Sequence, residues 1–251
     1  MSNSVLAISD CQLQERRERV FLVLAGVFLC AMTLLNVIGI TRFVQLGPMQ
    51  LAVGVLAYPL TFLCTDLISE LYGRARANFM VSVGLGLNFF ILGVMWLANT
   101  LPAVDVSAQP PWQTLNLQGE LALPSGESIN GSIEMFSLLY ATTTGAVFAS
   151  MLAYIVAQYV DVYLFHWIKQ KTQGKHLWLR NNGSTMISQL VDSFVVVSVT
   201  FGAVFFAGKM AISVLIGLML SNYLFKLASA LFDTPIIYLL VAKLKPYLGL
   251  Q

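Results

Sequence analysis

The chain has 251 residues, 57% of them hydrophobic and only 10% charged, with a formal net charge of +2 and a mean hydropathy of +0.76. Soluble domains carry roughly 25% charged residues, so this composition excludes an ordinary soluble domain and places the chain in a bilayer. So small a net charge gives no reason to expect nucleic acid, and the absence of a long polar block leaves no room for a separate soluble module. The expected class is an all-α integral membrane protein, with 1–251 forming a single polytopic membrane domain.

Residues 1–19 are polar and read as a cytoplasmic N-terminal segment, without a small-residue cleavage site after a short apolar core. Crossing a hydrocarbon core about 30 Å thick takes about twenty apolar residues. Six stretches qualify: 20–40, 48–71, 78–98, 135–165, 184–207 and 211–242. The fourth and sixth exceed the need and should tilt, kink or protrude. Pro235 marks a kink or an end within the sixth.

The distribution of Lys and Arg sets the orientation. Arg16, Arg17, Arg19, Arg74, Arg76, Lys169, Lys171, Lys175, Arg180, Lys243 and Lys245 share one side of a six-span arrangement. The other side has only Arg42 and Lys209, and the loop 100–134 there contains no Lys or Arg. Both termini are therefore expected in the cytoplasm and the 100–134 loop in the periplasm. That loop is rich in Pro, Gly, Ser and Asn and should be irregular, with a short strand or interfacial piece around 112–123. A lid and a solvated connector both fit its length.

Ionisable groups in hydrocarbon cost several kcal/mol, so they usually face a cavity or a partner. Asp66, Glu70 and Arg74 are spaced four apart, and on one continuous helix they would share a face. A Glu70–Arg74 bridge ending the helix before Gly73 is the bland alternative, and it leaves the deeper Asp66 unexplained. Ser188, Gln189 and Asp192 form a second polar face in the fifth span, and Asp192 needs a cation. Lys226, near the middle of the sixth span, is the obvious one; Asn222 and Asp233 share its face. A Lys226–Asp192 or Lys226–Asp233 pair would fix helix register, serve a substrate or proton, or do both. Asn36, Asn88, Gln158 and Asp161 are weaker signals, since amides in spans usually bridge helices and Asp161 lies near a span end. The stretches 61–66 and 185–192 are only faintly alike and do not establish an inverted repeat.

Other chemistries find little support. Cys11, Cys30 and Cys64 suggest neither a disulfide framework nor a thiolate metal site. An intramembrane metalloprotease needs histidine ligands within its spans, but His166 and His176 lie at a span end and in a basic loop. No metal, cofactor or catalytic residue is expected. No phosphate-binding loop occurs, so ATP hydrolysis is not the chain's own. A saturable carrier, a binding subunit needing a separate energising partner, and a channel remain as readings; a scaffold leaves the polar clusters unexplained.

Residues 56–73, with Tyr58-Pro59-Leu60-Thr61 and Asp66-Leu67-Ile68-Ser69-Glu70-Leu71-Tyr72-Gly73, resemble the signature of the queuosine-precursor transporter family, also called the vitamin uptake transporter family. Further matches are Ala149 to Tyr154 with Gln158 and Asp161-Val162-Tyr163, Leu177 to Asn182 with Ser184-Thr185, Ser188 to Ser193, and Asn222 to Lys226. They span nearly the whole chain in family order. Some members carry an arginine within the fourth span where this chain reads Thr142-Thr143-Thr144-Gly145, so no role of that arginine carries over. The resemblance implies a bacterial inner-membrane importer of deazaguanine bases with a cyano or aminomethyl substituent, salvaged for tRNA modification.

Such a ligand defines a site. Side-by-side N–H and NH₂ donors suit a carboxylate, a ring carbonyl suits an amide or ammonium, and a flat ring suits an aromatic face. Asp66, Glu70 and Asp192 are expected to read donors, Gln189, Asn222 and Lys226 to read acceptors or balance charge, and Tyr58 and Phe62 to stack. Arg74 and Asp233 are assigned structural or coupling roles. The expected cavity lies between the second, fifth and sixth spans. Gly84, Gly86 and Gly93 could line a close helix contact within or between subunits, and a chain of this size fits a homodimer.

Overall fold

The computed structural model describes residues 10–173 and 177–250. Residues 1–9, Lys175 and His176 lie outside the described residues, as do the side chains of Arg74, Gln158, Asp161, Lys169 and residues 177–182. Six helical segments among the described residues are long and apolar enough to cross a membrane, the second being Val53–Tyr72, a 3-10 turn continued by α2; the α-helices are α1 (Asp10–Val37), α2 (Tyr58–Tyr72), α3 (Arg74–Thr100), α4 (Met135–Lys171), α5 (Leu177–Phe206) and α6 (Ile212–Tyr247). The helical spans were legible; several of their ends were not.

The expected second span, 48–71, is the largest departure. Its first part folds back as a hairpin of β1 (Phe43–Leu46) and β2 (Met49–Ala52), turned at Gly47 with φ +58°. A 3-10 turn, Val53–Ala57, then leads into α2, whose fifteen residues reach only about 22 Å. The hairpin packs on α6, where the Gln50 N–H donates to Ser221 Oγ at 3.1 Å. Ser221 lies about 13 Å along α6 from Ile212. Non-helical backbone at that depth is tolerable only when protein satisfies its polar groups. Here the hairpin ladder, Ser221 and the Gly54 N–H to Gly39 C=O bond at 3.1 Å do so. The crossing at Gly54 is tight enough to require glycine: an added Cβ would stand 2.5 Å from Leu35 O and 2.7 Å from Gly39 Cα.

Gly73, with φ +86°, forms the entire connection between α2 and α3. Arg74 therefore starts a new helix, which corrects the expectation that it continues the Asp66–Glu70 face. Likewise, α5 begins at Leu177 instead of 184, and α6 runs through Pro235 without ending.

The first turns of α1 meet the residues that follow α6 at one end of the bundle. Arg17 Nε donates to Leu248 O at 2.9 Å and Tyr72 Oη to Arg17 O at 2.8 Å, tying α1, α2 and α6 together. Phe28, Cys64, Ile68, Ala77 and Met80 form the apolar contact of α1, α2 and α3 beside them. At the opposite, loop end, β3 (Thr114–Asn116) pairs with β6 (Ser132–Glu134) around a shorter hairpin, β4 (Leu121–Ala122) with β5 (Ser128–Ile129). Lys209, in the turn between α5 and α6, clasps this loop by bonding Glu120 Oε1 at 3.1 Å and Ser128 Oγ. The Ser128 hydroxyl and the Lys209 ammonium hold the Glu120 carboxyl below the usual range. Of the three glycines singled out, Gly84 serves α1–α3 packing, its Cβ direction meeting Met32 Sδ at 2.8 Å; Gly86 and Gly93 face open space.

Candidate functional site

A cavity of about 440 Å³ lies among α1, α2, α3, α4 and α5. Roughly 300–1,000 Å³ is usual for small-molecule sites. Tyr58, Phe62 and Asp66 from α2 and Gln189 and Asp192 from α5 line it together, five of the eight residues expected to bind. Tyr58 and Phe62 sit one turn apart, rings 5.6 Å between centroids and tilted by 51°, so α2 presents an aromatic face with a carboxylate two turns beyond. Asp66 is exposed into this space, and none of the ion pairs among the described residues includes it.

Lys226 comes from α6 and is 1% exposed. Its Nζ donates to Asp192 Oδ2 and lies 4.4 Å from the Tyr58 ring centroid. Of the two partners the sequence offered to this lysine, the structure selects Asp192. A lone ammonium or carboxylate at this depth would be costly, and the pairing, with an aromatic face on the lysine, offsets that cost. Lys226 does not itself line the cavity, and α6 supports it from behind.

The remaining expected residues fall elsewhere. Asn222 is 7% exposed and lines a separate small chamber of about 70 Å³, also bordered by Tyr58, Asn36, Gln50 and Thr200. Asp233 is 5% exposed and lines neither space. Glu70 is outside the cavity, 3.0 Å from Lys245 Nζ in a half-exposed pair at the terminal end. Its placement follows from α6 extending past 242, which gives Lys245 a fixed position opposite α2.

Two residues carry more than the bridging role read for them. Asn36 Nδ2 donates to Asn88 Oδ1 at 2.9 Å, joining α1 to α3. Both also line the cavity, and the Asn36 Oδ1 acceptor is buried without a partner. The Asn222 Oδ1 acceptor has the same status beside the small chamber. Buried acceptors are seldom left unpaired, so these are positions where a donor from outside the chain has value. The available signal was an amide deep inside an apolar span, which does not say which way its second atom points.

The spaces follow one another through the bundle. Leu35, Asn36, Tyr58 and Ser150 border both the cavity and the small chamber. Ile40, Phe43 and Phe201 border both the small chamber and a third space of about 910 Å³ beneath the loop hairpins. The Phe43 and Phe201 rings, 5.9 Å apart, stand at that second boundary. A polar cavity and a loop-covered chamber thus adjoin through a small chamber bordered by aromatic rings. Among the described residues no group of three His, Cys, Asp or Glu side chains could hold a metal ion.

Residues 52–240 match the family described as "Putative vitamin uptake transporter". A relative from Bacillus subtilis (strain 168), named "Probable queuosine precursor transporter", is 30% identical over 204 residues, covering 79% of this chain and 75% of the relative. No solved structure gives a significant match. With its six membrane-length helices, matched over most of its length, the chain belongs to the vitamin uptake transporter family.

Proposed function

We propose that this multi-pass membrane transporter imports deazaguanine bases carrying a cyano or aminomethyl substituent across the bacterial inner membrane. The observation that carries the reading is the convergence of Asp66, Gln189, Asp192, Asn36 and the Tyr58–Phe62 face on one cavity of about 440 Å³. Asp66 accepts the adjacent N–H and NH₂ donors of a guanine-like edge as a bidentate pair. Gln189 donates to the ring carbonyl, and Tyr58 and Phe62 cover the flat face. Asp192 offers the carboxylate oxygen that Lys226 leaves open, so Lys226 acts by holding Asp192. Asn222 serves the adjoining chamber, and Glu70 sets the charge near the terminal end. The name of the Bacillus relative supports this substrate class.

The terminal end is assigned to the cytoplasm, because the loop end carries Arg42 and Lys209 against the basic residues of the opposite end. The cavity then lies toward the cytoplasm, and the 910 Å³ chamber receives solute from the periplasm. Binding of cyano- and aminomethyl-deazaguanine to the detergent-purified protein, with guanine and a water-soluble vitamin as controls, tests the reading. Saturable binding of the deazaguanines is expected, at least tenfold weaker in Asp66→Asn and unaltered in Glu70→Gln. Folded protein that binds neither deazaguanine overturns the substrate assignment.

A further inference from the structure

Three carboxylates but one ammonium occupy the membrane-depth part of α2, α5 and α6 among the described side chains: Asp66, Asp192 and Asp233 against Lys226. Lys226 is committed to Asp192. Asp66 and Asp233 are left with no cation, and the buried Asp233 Oδ2 has no hydrogen-bond partner.

These two residues stand at one depth. α2 and α6 run side by side in the same direction, with Tyr58 against Lys226 near one end and Glu70 against Lys245 at the other. Asp66 lies about 12 Å beyond Tyr58, and Asp233 about 10 Å beyond Lys226. The two carboxylates therefore sit at matching heights on two helices that pack against each other. Asp66 opens on the cavity, whereas Asp233 is 5% exposed and lies behind it.

Among the described residues, the charges that pack near these two carboxylates already have partners. Toward the loop end, Asp192 and Lys226 neutralise each other beside Tyr58; toward the terminal end, Glu70 and Lys245 do the same. From α1, Arg17 is bound to the carbonyls of Leu248 and Gly249. From α3, Arg76 lies over the rings of Phe21 and Tyr72. Two carboxylates at one depth on packed helices, one of them buried and neither with a counter-ion among the described side chains, repel each other, and one shared proton removes the repulsion.

We propose that Asp66 and Asp233 hold one proton between them and that this proton is the coupling ion of transport. The pair binds H⁺ from one side, passing from two negative charges to one, and returns the same H⁺ to the other side in each cycle. The first part stands on this chain's own geometry, while the coupling part rests on the transporter reading above.

Two measurements test it separately. Infrared spectroscopy of the purified protein at neutral pH should show a protonated-carboxyl band that shifts in D₂O and disappears in Asp233→Asn, with no substrate involved. An unchanged band in Asp233→Asn overturns the shared proton. In proteoliposomes with the membrane potential clamped, an acid exterior should drive accumulation of deazaguanine, with internal acidification read by a trapped dye. Asp233→Asn should lose both at least tenfold while keeping substrate counterflow, and Asp233→Glu should recover them. Counterflow without proton movement in the wild type overturns the coupling. A missing counterflow overturns it as well, together with the substrate reading, while the infrared band still decides the shared proton.

Discussion

Replacing Lys226 with methionine keeps a long apolar side chain and removes the charge that Asp192 now depends on. Breaking a buried ion pair from one side costs about 3–5 kcal/mol, since a charge is left uncompensated. The two sides are not equivalent: 14% of the Asp192 side chain is exposed, against 0% for Lys226. Cavity water therefore relieves a stranded Asp192, and Lys226→Met should cost about 3 kcal/mol. Asp192→Asn strands an ammonium with no access to water and should cost about 5 kcal/mol. At about 2–4 °C per kcal/mol for a chain of this size, the midpoints fall by roughly 6–12 °C and 10–20 °C. The double variant removes both charges and should melt within a few degrees of wild type. Thermal unfolding of the detergent-purified proteins reads all four states. Single variants that melt like wild type, or a double variant less stable than either, would refute the pairing argument.

Gly54→Ala drives a methyl group into Leu35 O and should destabilise by about 1–3 kcal/mol, whereas Gly86→Ala meets nothing and should leave the midpoint unchanged. Phe201→Ala removes one ring of the pair between the two loop-side spaces. A Ser150→Cys thiol in a background lacking the native cysteines should then react with a loop-side reagent at least tenfold faster than with Phe201 present. The Glu120 carboxyl lies below the ordinary range, so its contribution to the loop clasp is present above the unfolded carboxyl's pKa and lost as pH falls through the lower folded value. Proteolysis of the 101–134 segment should accelerate across that acidic window in wild type. In Glu120→Gln it should already be fast at neutral pH and show no such step.

What was legible in the sequence follows from what hydrocarbon forbids. Apolar runs long enough to cross the core gave the helices, and a mid-span lysine had to find a carboxylate within reach, which left Asp192 and Asp233 as its partners until packing of α5 on α6 selected Asp192. The hairpin at 43–52 was not readable, because a short apolar run reads alike as strand or helix and only the Ser221 and Gly54 contacts decide it. The spacing of Asp66, Glu70 and Arg74 misled for a local reason: one glycine in a left-handed conformation ends the helix between the second and third residues. Glu70 was drawn to Lys245 by a helix that outlasts its apolar stretch, a length set by packing of the chain ends. The cavity itself depends on α1, α3 and α4 as much as on α2 and α5, and depth along a single span cannot reveal which helices become neighbours.

The proposal at the centre of this account is that the chain, without a separate energising subunit, moves a deazaguanine through the path that Asp66, Asp192 and the Tyr58–Phe62 face line. Uptake of radiolabelled aminomethyl- and cyano-deazaguanine by the purified protein in liposomes, with no other protein present, tests it most directly. Saturable uptake, competed by either unlabelled base but not by a water-soluble vitamin, and lost in Asp66→Asn, is the predicted result. Binding without uptake until a separate energising subunit is added would contradict it, and non-saturable flux would replace the carrier with a channel.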